Sequence, residues 1–461
     1  MSKRDYSEIT PEIRSLVQII NQNGVIDRAL YDRYQVNRGL RDLNGNGVLT
    51  GLTEISEVQG KSPDGKPAPG ELYYRGYNIN DLVRGFLKEE RYGFEEITYL
   101  LLFGELPGPR ELATFEDLLG SYRSLPNSFV RDIIMKAPST NMMNSMARSV
   151  LTLYSYDRNP DDTSLENVLR QCIQLIAMFP QLALHSYQAY EYYRRDSSSF
   201  FIHDPDPALS TAENILMMLR ADGKYTPMEA RVLDMALVIH AEHGGGNNSS
   251  FTTHVVTSSG TDTYAAISAA LGSLKGPKHG GANIKVTHMM EEIKHTVKDW
   301  SDEGEITSCV QQILDKNAFD RTGLIYGIGH AIYSQSDPRA EIFRQFVQSL
   351  AQEKNLEQDY YLYAAVERIS PELISGQRKM YKGVSANVDF YSGFVYQMLG
   401  IPEELFTPLF AIARISGWCA HRIEELLNGN RIIRPAYKAV QARRRYVPLE
   451  ERADGSDTST N

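Results

Sequence analysis

The segment that decides the fold reads DTYAAISAALGSL over residues 262–274 and GPKHGGAN over residues 276–283. The apolar residues of the first part recur at helical spacing behind Asp262, a residue type that caps helix N-termini. A proline and three glycines then surround His279 and interrupt the helix, because proline lacks a backbone donor and glycine disfavours helical structure. A second helical pattern follows over residues 284–300. We therefore predict two helices joined by a tight turn that carries a histidine.

The same periodicity covers most of the chain and predicts a mainly α fold. Thr10 and Pro11 are typical of a helix start, as its cap and its first residue. Two short β-like patterns, over residues 47–56 and 70–79, flank a Gly/Pro-rich loop and predict a small hairpin near the N-terminus. Further helices are predicted over residues 94–103, 164–178, 227–239, 340–350, 389–399 and 406–427.

The domain organisation follows from a change in composition between residues 282 and 386, where the chain becomes more charged and its helices more separated. Such a segment is typical of a smaller domain inserted into a larger one. We predict a large helical domain of residues 1–281 plus 387–461 and a small helical domain of residues 282–386. The small polar residues 453–461 are predicted to form a disordered tail.

The charge and the cysteine content exclude several classes of function. The chain has 461 residues and a formal net charge of -10, so it has no global positive field of the kind that gathers nucleic acid or anionic membranes. Its three cysteines form no CxxC pair and indicate neither a disulfide framework nor a thiolate zinc site. We see no signal-peptide core and no membrane-length apolar run. We expect a cytoplasmic protein that binds neither nucleic acid nor membranes.

The unusual residues concentrate in four segments: HAEHGGGNNSSF (240–251), GPKHGGAN (276–283), GIGHAIYSQSDPRA (327–340) and ANVDFYSG (386–393). Taken alone, each has a structural interpretation, since a Gly-flanked histidine is commonly a turn residue and Asp389 is typical of a helix cap. His240 and His243 could share a helix face and hold a metal. Neither an HExxH pattern nor a well-spaced third ligand accompanies them, so we expect no metal site there.

Taken together, these segments indicate a particular chemistry. Arg414 lies in an apolar helical pattern, where a buried arginine implies a salt bridge or a bound carboxylate. Imidazoles, a carboxylate in apolar company and arginines suit proton abstraction beside a carbonyl and the binding of a small polyanion. Desolvation raises the pKa of a carboxylate toward that of a useful base, and a neutral imidazole can stabilise an enolate. We find no nucleophile elbow, Walker loop or dinucleotide fingerprint.

The four segments, together with LYYRGYNI (72–79), FEEITYLLLFGELP (94–107), FTPLFAIARISGW (406–418) and Arg434-Pro435, follow one another in a fixed order. In these stretches the chain resembles citrate synthase and the related 2-methylcitrate synthases. The resemblance implies condensation of acetyl-CoA with oxaloacetate and water to give citrate and CoA, the (Si)-type acyltransferase reaction of the tricarboxylic acid cycle. It implies no metal or cofactor, and a large helical domain with a smaller one that closes over the substrates.

The resemblance also assigns roles to single residues. It implies that Asp389 removes the methyl proton, that His279 stabilises the resulting enolate and that His330 is the acid acting on the oxaloacetate carbonyl. The implied oxaloacetate-binding residues are His243, Arg339, Arg414 and Arg434, and the residues implied to support His279 are Asn247 and Ser249. In the family the last of these arginines reaches the site of the partner subunit, so Arg434 implies a homodimer.

One departure from the family leaves the CoA contacts open. Many bacterial members carry an arginine and a lysine where this chain has Ala331 and Ser334, so Lys382 or the run Arg443–Arg445 are candidates for the CoA phosphates. Three alternative functions also stay open. They are a 2-methylcitrate synthase that uses propionyl-CoA, a non-catalytic protein of the same fold that binds acyl-CoA or a dicarboxylate, and a metal-dependent hydrolase built on His240 and His243.

Overall fold

The computed structural model describes Ser7 and residues 9–42, 46–194, 201–330, 332–378, 383–429 and 431–452. The chain divides into two compact units, Met1–Thr53 and Glu54–Asn461. In the first unit, the described residues include the α-helices α1 (Pro11–Asn23) and α2 (Arg28–Arg33). α1 begins as predicted, because Thr10 Oγ1 accepts a hydrogen bond from the Ile13 N–H at 3.5 Å. The predicted tail over 453–461 lies outside the described residues.

The second unit is mainly α, which confirms the predicted fold class. Its strands are β1 (Ser56–Lys61), β2 (Pro67–Tyr74) and β3 (Tyr77–Asn78). Its helices are α3 (Ile79–Lys88), α4 (Phe94–Phe103), α5 (Pro109–Ser121), α6 (Met142–Leu153), α7 (Leu165–Arg194), α8 (Thr211–Leu219), α9 (Pro227–His240), α10 (Asn248–Thr257), α11 (Thr263–Lys275), α12 (Ala282–Thr296), α13 (Glu303–Leu314), α14 (Pro338–Glu353), α15 (Glu357–Arg378), α16 (Val388–Met398) and α17 (Phe406–Asn428). None of the described helices combines the length and the apolar character that a bilayer crossing requires.

The small sheet is antiparallel with strand order β1-β2-β3. Its hairpin differs from the prediction, because pairing begins at Ser56 opposite Tyr74 rather than over residues 47–56. The turn is set by Asp64-Gly65, where Gly65 has a φ of +79°, a conformation that glycine adopts without strain. Half of the loop predicted over residues 60–69 therefore belongs to the two strands, and only residues 62–66 connect them.

The core of the second unit surrounds α17, which packs against α4, α7, α9, α10 and α11. Its side chains are buried on nearly every face from Phe406 to Ile423, as expected for a central helix. α7 runs beyond its predicted end at residue 178 and passes through Pro180. Buried residues on both sides of Pro180 show that packing outweighs its helix-breaking tendency.

The helices α12 to α15 lie within the segment predicted as a small domain. α12 packs against α13 and α16, α13 packs against α15, and α14 packs against α15 and α16. α14 also packs against α9, which belongs to the predicted large domain. The boundaries at residues 281/282 and 386/387 stay a prediction.

Candidate active site

His279 lies in the predicted turn between α11 and α12. The N–H groups of His279 and Gly280 both donate to the carbonyl of Gly276, at 2.8 Å and 3.1 Å. A Cβ at Gly280 would lie 2.3 Å from the carbonyl oxygen of Leu274, so a larger residue would push the turn open. Thr407 Oγ1 donates to the carbonyl of Gly280 at 2.9 Å, which fixes the turn to the start of α17.

The imidazole of His279 is held by the first turn of α10. Its Nε2 lies 3.1 Å from Ser249 Oγ, which also contacts Asn247 Oδ1 at 2.9 Å and accepts from Trp418 Nε1–H at 3.0 Å. Asn247 is the N-cap of α10 and accepts from the Ser249 N–H. Burial and the nearby Arg414 lower the pKa of His279 to about 4, so the ring is neutral at physiological pH.

His330 lies in the loop that precedes α14. Its Nδ1 accepts hydrogen bonds from the N–H groups of Ile332 at 3.1 Å and Tyr333 at 3.2 Å. Because Nδ1 is an acceptor, the neutral ring carries its proton on Nε2 and can donate from that side. Burial and the charge of Arg339 lower the pKa of His330 to about 4. The ring stacks on Tyr333, with centroids 4.7 Å apart.

The β hairpin supports this loop. A Cβ at Gly70 would lie 2.2 Å from the carbonyl oxygen of Ser336, so strand β2 approaches the loop as closely as a glycine allows. The Gln335 side chain donates to the carbonyl of Pro67 at 2.9 Å, and the Gly70 N–H donates to Ser336 Oγ at 3.2 Å. The predicted hairpin therefore positions a candidate catalytic histidine.

Asp389 lies in the first turn of α16. The N-cap is not Asp389, as its sequence context alone suggested, but Asn387, whose Oδ1 accepts from the Asp389 N–H at 2.9 Å. Asn387 also donates through Nδ2 to the carbonyl of Gly329 at 2.8 Å, next to His330. Because the cap is supplied by Asn387, the Asp389 carboxylate is not used for capping. Burial raises its pKa to about 6, and the charge of Arg339 opposes that rise.

Arg339 is the second residue of α14, after the N-cap Asp337 and Pro338. Both guanidinium Nε and Nη2 donate to the Asp337 carboxylate, at 3.0 Å and 2.8 Å, in a bidentate pair. Asp337 also accepts from the Val388 N–H at 3.3 Å, so it joins α14 to α16. The Asp337 carboxylate raises the pKa of Arg339, although burial lowers it. Asp337 was not among the predicted site residues, although an Asp-Pro pair at a helix start predicts a cap.

Arg414 is fully buried in α17. Its Nε donates to the carbonyl of His240 at 2.7 Å, whereas Nη1 and Nη2 have no hydrogen-bond partner in the described part of the chain. Burial lowers its pKa to about 10. Within the same described residues, His240 Nδ1 and Nε2 and His243 Nε2 are also buried without a partner. Buried polar groups are nearly always hydrogen-bonded, so these unpartnered atoms around a charged guanidinium are typical of a site for an anionic ligand.

These side chains lie in one region of the molecule. His243 lies edge-on to His330, with ring centroids 5.3 Å apart. Arg414 perturbs the pKa of His279, of His243 and of Asp389, and Arg339 perturbs that of His330. Six of the seven predicted catalytic and oxaloacetate-binding residues are therefore electrostatic neighbours: His243, His279, His330, Arg339, Asp389 and Arg414.

Arg434 and the run Arg443–Arg445, which were also predicted to bind substrates, are not part of this group of side chains. Arg434 is exposed in the coil after α17, and within the described residues its side chain has no hydrogen bond or ion pair to the site. The run Arg443–Arg445 is also exposed. Lys382 and Ala331 lie outside the described residues. Sequence reasoning also missed Trp418, although its position four residues after Arg414 puts it on the same face of α17.

The chain is similar to known proteins over most of its length. The family model described as citrate synthase, C-terminal domain, matches residues 42–436. The chain is 36% identical over 419 residues to citrate synthase of Acidithiobacillus ferridurans, covering 88% of this chain and 97% of that protein. It is 34% identical over 427 residues to 2-methylcitrate synthase 1 of Corynebacterium glutamicum, covering 91% and 99%.

Solved structures show the same similarity. Citrate synthase from Pyrobaculum aerophilum has a TM-score of 0.72 and 30% identity, covering 90% of this chain and 95% of that chain. Citrate synthase from Thermoplasma acidophilum, in a ternary complex with carboxymethyl coenzyme A and oxaloacetate, has a TM-score of 0.73 and 25% identity. That match covers 90% of this chain and 99% of the other.

Proposed function

Because the chain belongs to the citrate synthase family of acyltransferases, we propose that it condenses acetyl-CoA with oxaloacetate and water to give citrate and CoA. The observation that carries this proposal is the combination of Asp389, with a pKa raised to about 6, and two imidazoles held neutral beside buried arginines. A base that is ionised at neutral pH and two neutral donors are what enolate formation and carbonyl addition need.

We assign the proton transfers as follows. The Asp389 carboxylate removes a proton from the methyl group of acetyl-CoA, and Nδ1–H of His279 stabilises the enolate oxygen. This tautomer requires the single hydroxyl proton of Ser249 to be donated to His279 Nε2 at 3.1 Å rather than to Asn247 Oδ1 at 2.9 Å. The enolate carbon attacks the keto carbon of oxaloacetate while His330 Nε2–H protonates the carbonyl oxygen. Water then hydrolyses the thioester and releases CoA. The acceptor role of His330 Nδ1 supports this assignment, because it leaves the proton on Nε2.

Oxaloacetate would be held by the unpaired nitrogens of Arg414, by Arg339 and by His243. A guanidinium grips a carboxylate through two parallel hydrogen bonds, which fixes the orientation of the keto group. The unpartnered Nη1 and Nη2 of Arg414 support a carboxylate at this position. We further propose a cytoplasmic homodimer in which Arg434 completes the site of the partner subunit, with Asn247 and Ser249 positioning His279.

The test is direct. Purified protein mixed with acetyl-CoA, oxaloacetate and a thiol-reactive dye is expected to release free CoA only when both substrates are present. Folded protein that releases none would contradict the proposal. Asp389→Ala is expected to retain oxaloacetate binding and lose turnover by about 10²–10⁴-fold. Unchanged turnover would remove Asp389 from the role of base. Binding of both substrates by a wild-type protein without turnover would instead favour a non-catalytic binding protein.

A second candidate function is 2-methylcitrate synthesis from propionyl-CoA, favoured by the 34% identity to 2-methylcitrate synthase 1 of Corynebacterium glutamicum. The two substrates differ by one methylene in the acyl group, which an apolar pocket distinguishes by only about 1–3 kcal/mol. The ratio of kcat/KM for acetyl-CoA to that for propionyl-CoA separates the two. A ratio above one supports citrate synthase, and a ratio below one supports 2-methylcitrate synthase.

A further inference from the structure

A second histidine cluster lies outside the proposed catalytic groups, between α10 and α17. His254 Nε2 lies 3.1 Å from His421 Nδ1, and Glu424 Oε2 lies 3.8 Å from the same His421 nitrogen. One ligand atom from each of these three residues lies within 4.8 Å of the other two. His421 is fully buried, while the side chains of His254 and Glu424 are 14% and 11% exposed. The cluster is therefore a nearly closed site with access from one side.

In each of the two histidines, the ring nitrogen that points away from the other histidine, called the outer nitrogen here, is hydrogen-bonded to a carboxylate. His254 Nδ1 lies 2.8 Å from Glu425 Oε2, and His421 Nε2 lies 3.0 Å from Glu242 Oε1. A carboxylate is an acceptor, so each ring donates its outer N–H. The two inner nitrogens, His254 Nε2 and His421 Nδ1, lie 3.1 Å apart, so their lone pairs repel unless a proton or a cation lies between them. Burial lowers the pKa of His421, but the Glu242 carboxylate outweighs it and raises the pKa to about 9, so a proton occupies this position when no cation is bound. A metal ion would displace that proton.

The pattern matches the arrangement of zinc ligands in proteins. A metal-bound histidine usually donates its other N–H to a carboxylate, which fixes the ring and increases its basicity. Zinc is bound by imidazole nitrogen and carboxylate oxygen at about 2.0–2.2 Å in a tetrahedron, so neighbouring ligand atoms are about 3.3–3.5 Å apart. The distances of 3.1 Å and 3.8 Å bracket that separation. A small movement of Glu424 would complete three ligands, with water as the fourth.

Gly245 leaves room beside the two inner nitrogens. A Cβ at this position would lie 3.7 Å from both His254 Nε2 and His421 Nδ1, and 3.3 Å from His421 Cε1. This glycine belongs to the Gly-rich run that follows His243 in the sequence. The absence of a side chain at residue 245 thus keeps open the side of the cluster from which a cation would be coordinated.

We propose that His254, His421 and Glu424 form a binding site for one Zn²⁺ ion, with Glu425 and Glu242 as the carboxylates that orient the two histidines. This site is separate from the proposed catalytic groups and does not depend on the proposed function. Its link to them is Glu242, which precedes His243 in the chain and accepts hydrogen bonds from His421 and from Ser56 Oγ.

The test measures zinc binding directly rather than activity. The full-length protein is treated with EDTA, desalted and titrated with Zn²⁺ against a chromophoric chelator. Wild type is expected to bind about one equivalent per chain. His254→Gln is expected to abolish that equivalent, and Glu425→Gln to weaken it by about 10–100-fold, as changes in the orienting carboxylate do. The matched control is His288→Gln, because His288 forms an exposed pair with Glu403 at 2.8 Å and should bind zinc as wild type does.

The outcomes that overturn the proposal are equally specific. Wild type that binds no zinc, or His254→Gln that binds it as tightly as wild type, would show that a shared proton and not a cation joins the two histidines. Thermal unfolding checks that each variant is folded. If His254→Gln does not fold, Gly245→Ala retains every ligand and fills the open side. Weaker zinc binding by this variant supports the site, and unchanged binding contradicts it.

Discussion

Removal of the Ser249 hydroxyl is expected to slow turnover without weakening oxaloacetate binding. Ser249 Oγ lies 3.1 Å from His279 Nε2 and 3.0 Å from Trp418 Nε1, so Ser249→Ala leaves the half-buried imidazole of His279 and the fully buried indole N–H of Trp418 without their partner. Leaving a buried group unpaired costs about 1–3 kcal/mol. Where this cost falls on the transition state, it lowers kcat by about 5–150-fold. Arg339 and Arg414 are untouched, so the KM for oxaloacetate should stay the same.

The neighbouring serine supplies the control. Ser250 is also fully buried in α10, but its Oγ has no hydrogen-bond partner in the described part of the chain. Ser250→Ala removes the same atom and should leave kcat unchanged. The assay is the steady-state release of CoA with each substrate varied in turn. The reasoning is refuted if folded Ser249→Ala has the wild-type kcat, or if the two serine variants lose activity equally.

Two further predictions concern pH and the buried arginines. Since Asp389 acts as a base with a pKa of about 6, kcat/KM for acetyl-CoA should be flat above that pH and fall about tenfold per unit below it; a profile that stays flat to about pH 5 would contradict the assignment. Arg414→Gln should raise the KM for oxaloacetate by about 10–100-fold and remove the thermal stabilisation by oxaloacetate, because charge-assisted hydrogen bonds contribute about 1.5–3 kcal/mol each. Its unliganded unfolding temperature should not fall, because an unpaired buried charge is removed. The matched control is Arg422→Gln: Arg422 is equally buried but donates to Thr257, Thr261 and Thr263, so this variant should unfold at a lower temperature and still respond to oxaloacetate. A lower unfolding temperature for Arg414→Gln, or a retained response to oxaloacetate, would argue against the carboxylate site.

Much of the helical fold could be predicted from local patterns. α1, α9 and α11 begin where a capping residue or a proline precedes an apolar run, and the observed starts of these helices and of α4 agree with the predicted ones to within one residue. The predicted strands of the hairpin differ from the observed ones, because the chain turns at Asp64-Gly65. The prediction was based instead on the wider Gly/Pro-rich loop. The predicted end of α7, at residue 178, is too early. The helix continues because packing on both sides of Pro180 offsets the effect of the proline, and this packing cannot be inferred from the sequence alone.

Some residues of the candidate site could be predicted from the sequence, whereas the contacts between distant segments could not. The histidines and Asp389 stood out as titratable residues beside glycines or apolar residues, and the resemblance put them in order. The cluster around His421 could not be predicted in the same way, because its partners come from distant parts of the chain. His421, for example, is 179 residues from Glu242 and 167 residues from His254. Such pairs are apparent only when α9, α10 and α17 have been packed together.

The side chain of Asn387 has a consequence for how this site can change. Its two ends hold the start of α16, with Asp389, and the Gly329 carbonyl next to His330. With the proposed roles, one amide thus fixes both the group that takes a proton from the acyl methyl and the group that gives one to the keto oxygen. A substitution at residue 387 would displace both at once. Proton exchange at the methyl group and carbon–carbon bond formation therefore cannot be tuned independently at this position.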